Sequence, residues 1–167
     1  MDILAARYGR SFKKPFLKDF LISRVDLKEH RLFLVKPLTY MNNSGDIFPE
    51  ILDRTGVDNQ SFLVVCDTLD LPAGQCRFKR GGSAGGQKGL ASIIRRLGRQ
   101  DFPRLYIGIG RPGGRHQVVE YVLSEPRGKQ AQALEEAVHA AADGVLQMAE
   151  IGLEKVMNVF NRRSEDP

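Results

Sequence analysis

Phe62-Leu63-Val64-Val65-Cys66 is a run of five apolar residues closed by a carboxylate, Asp67. A strand with one face in water alternates polar and apolar side chains. A short unbroken apolar run reads instead as a central strand buried on both faces, which requires helices above and below the sheet. The residues that follow fit that requirement. Gln75–Lys79 makes a second short strand, and Lys79–Gly89 a loop rich in glycine and cations. Gln87–Leu97 places Leu90, Ile93, Ile94 and Leu97 on one helical face, with Gly98 as its stop. Leu105–Ile109 is a third strand. Strands that alternate with helices predict an α/β fold with a mixed sheet flanked by helices on both faces.

The flanks extend this pattern. Met1–Gly9 reads as a helix stub. Phe20–Val25 and Arg31–Val35 form the arms of a hairpin around polar Asp26–His30, and Lys36-Pro37 ends the second arm. Leu38–Gly45 is a loop rich in side-chain amides, followed by a helix carrying Ile47, Phe48, Ile51 and Leu52 and ending at Gly56. Val118–Leu123 fits a strand or a short helix. Gly128–Ile151 is a long amphipathic helix with a core stripe of Leu134, Ala137, Val138, Ala141, Val145 and Met148. Leu153–Phe160 is a last helix, and Arg162–Pro167 a polar tail expected to fray. A chain of 167 residues fits a single domain, 1–167.

Composition narrows the function classes. At 42% hydrophobic the chain has enough apolar surface to bury a core, and its formal charge of +5 favours a polyanionic partner. An ordinary basic surface would carry the same charge. The two cysteines, Cys66 and Cys76, have no metal-ligand spacing and suit a reduced, cytoplasmic protein, and no cofactor is expected. No stretch is long enough to span a membrane, and Met1–Arg10 lacks the apolar core of a signal peptide. A monomer is the default expectation.

Three constellations carry chemistry. Gly81, Gly82, Gly85, Gly86 and Gly89 free the backbone for close approach to a ligand, and the amides opening the next helix suit an anion. Lys79, Arg80 and Lys88 favour ligand contact over a simple connector. The loop is not a P-loop, since Gln87 stands where the lysine belongs and Lys88 precedes glycine. Lys88, Arg95 and Arg99 recur at i, i+7 and i+11 and are expected on the solvent side. Asp67 reads either as a turn cap, a role Asp70 would also suit, or as the carboxylate that orients a histidine base. Asn42 reads as a donor to a carbonyl or a holder of water, whereas Asn43 or Ser44 suits a helix cap better. Tyr40 and Met41 form an apolar face for a base or ribose, or simply core. Gly108–Gly113 satisfies G-x-G-x-x-G after a strand but opens no long helical pattern, so it reads as a chance match to a dinucleotide fingerprint.

Taken in order, the residues resemble the bacterial-type peptidyl-tRNA hydrolase family. Lys36-Pro37-Leu38-Thr39-Tyr40-Met41-Asn42-Asn43-Ser44-Gly45 is similar to its K-P-x-T-[FY]-M-N-x-S-G segment, and Asp67-Thr68-Leu69-Asp70-Leu71-Pro72-Ala73-Gly74 to its D-x-L-D-L-P-x-G segment. Gly81–Gly89, Asp101–Leu105 and Ile107–Pro112 match its glycine loop and the strand beyond. The resemblance implies metal-free cleavage of the ester between a peptide and the terminal ribose of tRNA, recycling tRNA from aborted translation. It implies that Asp67 holds a histidine base, that Asn42 positions the water or the scissile carbonyl, and that Tyr40 and Met41 line the site. Lys88 would then contact substrate, and Lys79, Arg80, Arg95 and Arg99 the backbone of the acceptor end.

The chain departs from the family pattern at several points. Lys88 is a cation where many members have asparagine; Gln87 often corresponds to histidine, as Cys66 sometimes does, and Thr68 is commonly acidic. The family's opening strand, its G-x-x-N-P-G segment and the T-R-H-N segment bearing the base have no counterpart, and Met1 aligns with the helix after them. None of His30, His116 and His139 is obviously placed as a base. The expectation is therefore a chain truncated at its N-terminus, inactive by itself and poorly soluble, because a missing strand would leave a neighbour's backbone unpaired. The alternative is an RNA-binding homologue that has lost hydrolysis.

Overall fold

The computed structural model describes residues 1–112 and 118–163. It divides into two compact units, residues 1–62 with 81–102, and residues 63–80 with 103–167.

In the first unit, α1 (Asp2–Arg7) packs on β1 (Phe20–Asp26), which pairs antiparallel with β2 (Arg31–Pro37) in the register Phe20↔Pro37 through Asp26↔Arg31. The hairpin turn closes as the Leu27 N–H donates to the His30 carbonyl at 2.8 Å. Phe20, Ser23, Val25 and Leu34 are buried. Arg24, and then Arg31, hold the exposed Asp26 carboxyl below its ordinary pKa through hydrogen bonds. Lys36-Pro37 ends β2, as its last two residues and not as residues beyond it. The strand runs through Pro37, and the Leu38 N–H bonds back to Asp19 O; proline is tolerated there because the two-stranded ribbon demands no donor on its outer edge.

A 3-10 turn at Met41–Asn43 leads into α2 (Phe48–Thr55), which carries Pro49 in its first turn and Gly56 at its end with φ 65°. α3 (Lys88–Leu97) likewise ends on left-handed Gly98. Phe62 does not open the following strand. Its ring packs edge-on against Phe48 at 5.0 Å and against Phe102 at 5.4 Å, and Phe102 is fully buried.

In the second unit, β3 (Val64–Thr68), β4 (Cys76–Lys79) and β5 (Arg104–Gly108) form a mixed sheet in the order β3-β5-β4, with β3 parallel and β4 antiparallel to β5. The apolar run therefore forms an edge of the sheet among the described residues, not its centre, and all five β3 residues are only half-buried. The central strand is β5, where Arg104, Leu105 and Gly108 are buried. An unbroken apolar run signals apolar faces but says nothing of how many strands flank it.

α4 (Val118–Leu123) resolves the ambiguous segment as a short helix, followed by α5 (Gly128–Ile151) and α6 (Leu153–Arg163). The tail thus begins inside a helix, and residues 164–167 lie outside those described. α5 and α6 cover β4 and β5 around a core of Cys76, Phe78, Leu105, Ala137, Ala141, Val156 and Phe160. Phe78 meets Phe160 edge-to-face at 5.2 Å. Asn161 closes the outer edge of β4: its Oδ1 accepts from the Phe78 N–H at 2.9 Å and its Nδ2 donates to the Phe78 carbonyl at 3.0 Å. A side-chain amide thereby stands in for a neighbouring strand at one ladder position. No described helix is long and apolar enough to cross a membrane.

Candidate active site

The first unit builds a polar turn on the front of α3. Ser92 is buried, and its Oγ accepts the Gly45 N–H at 3.0 Å. A Cβ on Gly45 would lie 2.4 Å from the Ser92 carbonyl oxygen, so only glycine lets the two backbones meet. Ser44, also buried, folds its hydroxyl onto the Met41 carbonyl at 2.9 Å. Arg95 donates to the Asn42 carbonyl at 3.2 Å. These ties hold the main chain of the turn from inside and leave its side chains outside: Tyr40 is 84% exposed and Met41 57%, and Asn42 is exposed too.

That exposure decides two open readings. Tyr40 and Met41 are not core. Neither Asn43 nor Ser44 caps α2, whose N-cap is Ile47 without a side-chain bond. Three large or amide side chains presented to water on a rigidly held turn form a contact surface, because burial would be the cheaper fate of the two apolar ones.

α3 supplies the cations. Its cap is Gln87, whose Oε1 accepts the Leu90 N–H at 2.7 Å. The residue replacing a P-loop lysine thus occupies one amide that an anion would otherwise use, which weakens the case for phosphate at this helix end. Lys88, at the first helical position, is exposed. Gly89 behind it is buried against Met41, whose Sδ lies 2.9 Å from where a Cβ would stand. The loop ahead turns through Gly85 at φ 56° and Gly86 at φ 84°, two successive left-handed residues. Arg95 and Arg96 are exposed in the last turn. Arg99 departs from the expectation. α3 stops at Leu97, so Arg99 lies beyond the helix, and its Nε sits 2.9 Å from Asp101 with the side chain mostly covered. Gly98 breaks the helical phase that the i+11 spacing assumed. Ser92 and Arg96 were missed from sequence; helical phase on α3 would have flagged Arg96, but nothing local marks Ser92 as the anchor of a distant turn.

The second unit holds Asp67, Lys79 and Arg80. Asp67 is half-buried and pairs with Ile107; it is the penultimate residue of β3, with Thr68 after it. Thr68 and Asp70 organise the turn after β3. The Thr68 hydroxyl accepts the Asp70 N–H at 3.1 Å, while Asp70 bonds the Arg111 guanidinium, which also reaches Leu69 O at 3.1 Å. Burial, and then the Asp67 charge, push the Cys66 thiol up to about 12, so Cys66 stays neutral and is no nucleophile. Lys79 lies over the Tyr106 ring at 5.6 Å, and Arg80 is ion-paired to Glu154. His30 is exposed in the hairpin turn and His139 is exposed on α5, whereas His116 falls outside the described residues. Gly108 of the chance fingerprint has a packing reason, since a Cβ there would meet the Pro72 carbonyl oxygen at 2.1 Å, and Gly113 lies outside the described residues.

This mixed α/β fold recurs in solved structures. The peptidyl-tRNA hydrolase from Acinetobacter baumannii superposes with a TM-score of 0.87 and 29% identity, covering 96% of this chain and 81% of that one. The family model described as peptidyl-tRNA hydrolase matches residues 1–167. The curated peptidyl-tRNA hydrolase of Bacillus subtilis (strain 168) is 44% identical over 137 residues, 80% of this chain and 71% of its own length. That of Hydrogenobaculum sp. (strain Y04AAS1) is 39% identical over 152 residues, 91% and 80% respectively. The fold places the chain among mixed α/β proteins of the kind these solved structures show. Specifically, the chain belongs to the peptidyl-tRNA hydrolase family.

Proposed function

We propose that this chain serves the cleavage of the ester between a peptide and the 3′-terminal ribose of tRNA, as the names of its relatives imply. The observation that carries the reading is the exposed Tyr40-Met41-Asn42 turn pinned to α3 through Gly45 and Ser92. Tyr40 and Met41 offer an apolar surface to the terminal nucleotide and the peptide. The Asn42 amide donates to the scissile carbonyl or holds the attacking water, and Lys88 contacts the acceptor-end backbone.

Ester hydrolysis by water needs a group to take the water's proton. Asp67, the penultimate residue of β3, orients and charge-stabilises a histidine in that role, so that the water oxygen attacks the carbonyl and the ribose hydroxyl departs. His30 and His139 are poor candidates for the base, each being exposed on a turn or helix outside the motif segments. The 167 residues are therefore expected to bind substrate and to release peptide slowly, in a reaction that uses no metal. The reading places the protein in the cytoplasm.

Peptide release from an N-acetyl-aminoacyl-tRNA tests this. Slow release that falls further with Asp67→Asn and with Asn42→Ala, about tenfold or more each, agrees with the assignment. Rapid release unaffected by either substitution would overturn it, and its loss with His116→Ala would then identify the base.

A further inference from the structure

The basic excess of the chain is confined to one unit. Residues 1–62 with 81–102 carry 14 Lys and Arg against 9 Asp and Glu, whereas residues 63–80 with 103–167 carry 11 against 11. Only part of that excess lies on α3. The segment Arg7–Lys18 contains Arg7, Arg10, Lys13, Lys14 and Lys18 and no acid. It forms an ordered strap. Lys13 bridges to Ile22 of β1, the Lys36 ammonium lies 4.3 Å over the Phe12 ring, and Lys18 pairs with Glu50 at 2.8 Å.

At the tip of the strap Phe16 is 87% and Leu17 84% exposed, which with Tyr40 makes them the most exposed large apolar side chains among the described residues. Leu17 is the one non-glycine residue with positive φ, 55°, among those described, a conformation disfavoured by about 1 kcal/mol. Lys13 and Lys14, both exposed, flank the tip. Asp19 follows the strap, and its carbonyl accepts the N–H of Leu38, two residues before Tyr40, at 2.8 Å.

Arg10 is ion-paired to Asp26 and Lys18 to Glu50, but two apolar side chains in water bordered by the exposed Lys13 and Lys14 match a polyanion that also offers flat apolar faces. Single-stranded or looped RNA has both features: phosphates for the lysines, and bases or riboses for Phe16 and Leu17. We propose that the Arg7–Lys18 strap is a second RNA contact, binding the body of the tRNA through Lys13, Lys14, Phe16 and Leu17. The proposal rests on the reading above for the identity of the RNA, and not for the contact itself.

Equilibrium binding of deacylated tRNA to the full chain across a salt series tests it, with Lys13→Ala/Lys14→Ala and Phe16→Ala/Leu17→Ala beside Lys88→Ala. The lysine pair is expected to weaken binding about tenfold at low salt and to reduce the salt slope by roughly two. The apolar pair is expected to weaken binding severalfold with the slope unchanged. Both double variants replace exposed side chains, and unchanged circular dichroism melting checks that they fold. If neither variant alters affinity or slope while Lys88→Ala does, the strap proposal fails and the substrate reading stands. If the unaltered chain fails to bind tRNA, both fail. Strap-dependent binding to phosphatidylserine vesicles, with tRNA binding unchanged in both double variants, would overturn the proposal in favour of a membrane contact.

Discussion

Two residue-scale contacts decide how the polar turn is held. The buried Ser92 hydroxyl is the partner of the Gly45 amide, so Ser92→Ala leaves a buried donor unsatisfied at a cost of about 1–3 kcal/mol. Thermal unfolding should register this at roughly 2–4 °C per kcal/mol. Gly45→Ala should be worse, since its Cβ would collide with main chain that cannot yield. The cysteines give a pH signature. Burial raises Cys66 to about 12 and Cys76 to about 11, above an ordinary value of 9. A raised folded pKa favours the folded state fully below the unfolded value. That share of stability is lost as pH climbs from about 9 toward 11–12, because the unfolded thiols ionise first. Denaturant midpoints should therefore fall above pH 9, and Cys66→Ser/Cys76→Ala should flatten that fall.

At the scale of elements, helix ends and strand edges carry the testable content. Gln87 caps α3 with its side-chain oxygen, so Gln87→Ala should cost about 1 kcal/mol. It should also free the Leu90 amide and, if the amide suits phosphate, leave RNA affinity unchanged or improved; urea titration and tRNA binding together check this. Asn161→Ala should unpair both backbone groups of Phe78 at the edge of β4 and lower the urea midpoint. These elements also show what sequence could reveal. The α3 and α5 stripes, the hairpin and the glycine stops at Gly56 and Gly98 were legible because they depend on neighbours a few residues away. The position of β3 in the sheet, the placement of Phe62 between Phe48 and Phe102, and the Ser92 anchor were not, because each depends on partners distant along the chain. For the candidate site, motif order is what proposes Tyr40, Met41, Asn42 and Asp67, whereas the helical spacing that put Arg99 on the solvent side of α3 fails because Gly98 ends the helix.

For the whole molecule, charge is unevenly divided: the unit that carries the Tyr40–Asn42 turn, α3 and the strap holds the entire net excess. Association with tRNA should accordingly weaken steeply with salt, and the steepness should fall with Lys88→Ala and Arg95→Ala. The central claim is that the exposed turn receives the peptidyl end of tRNA. The most direct test is the ratio of affinities for peptidyl-tRNA and deacylated tRNA, measured on the same chain at one salt concentration. The account predicts a preference for peptidyl-tRNA that Tyr40→Ala and Asn42→Ala each reduce at least severalfold, with affinity for deacylated tRNA less affected. Equal affinities for the two tRNAs, or a preference that survives both substitutions, would contradict it.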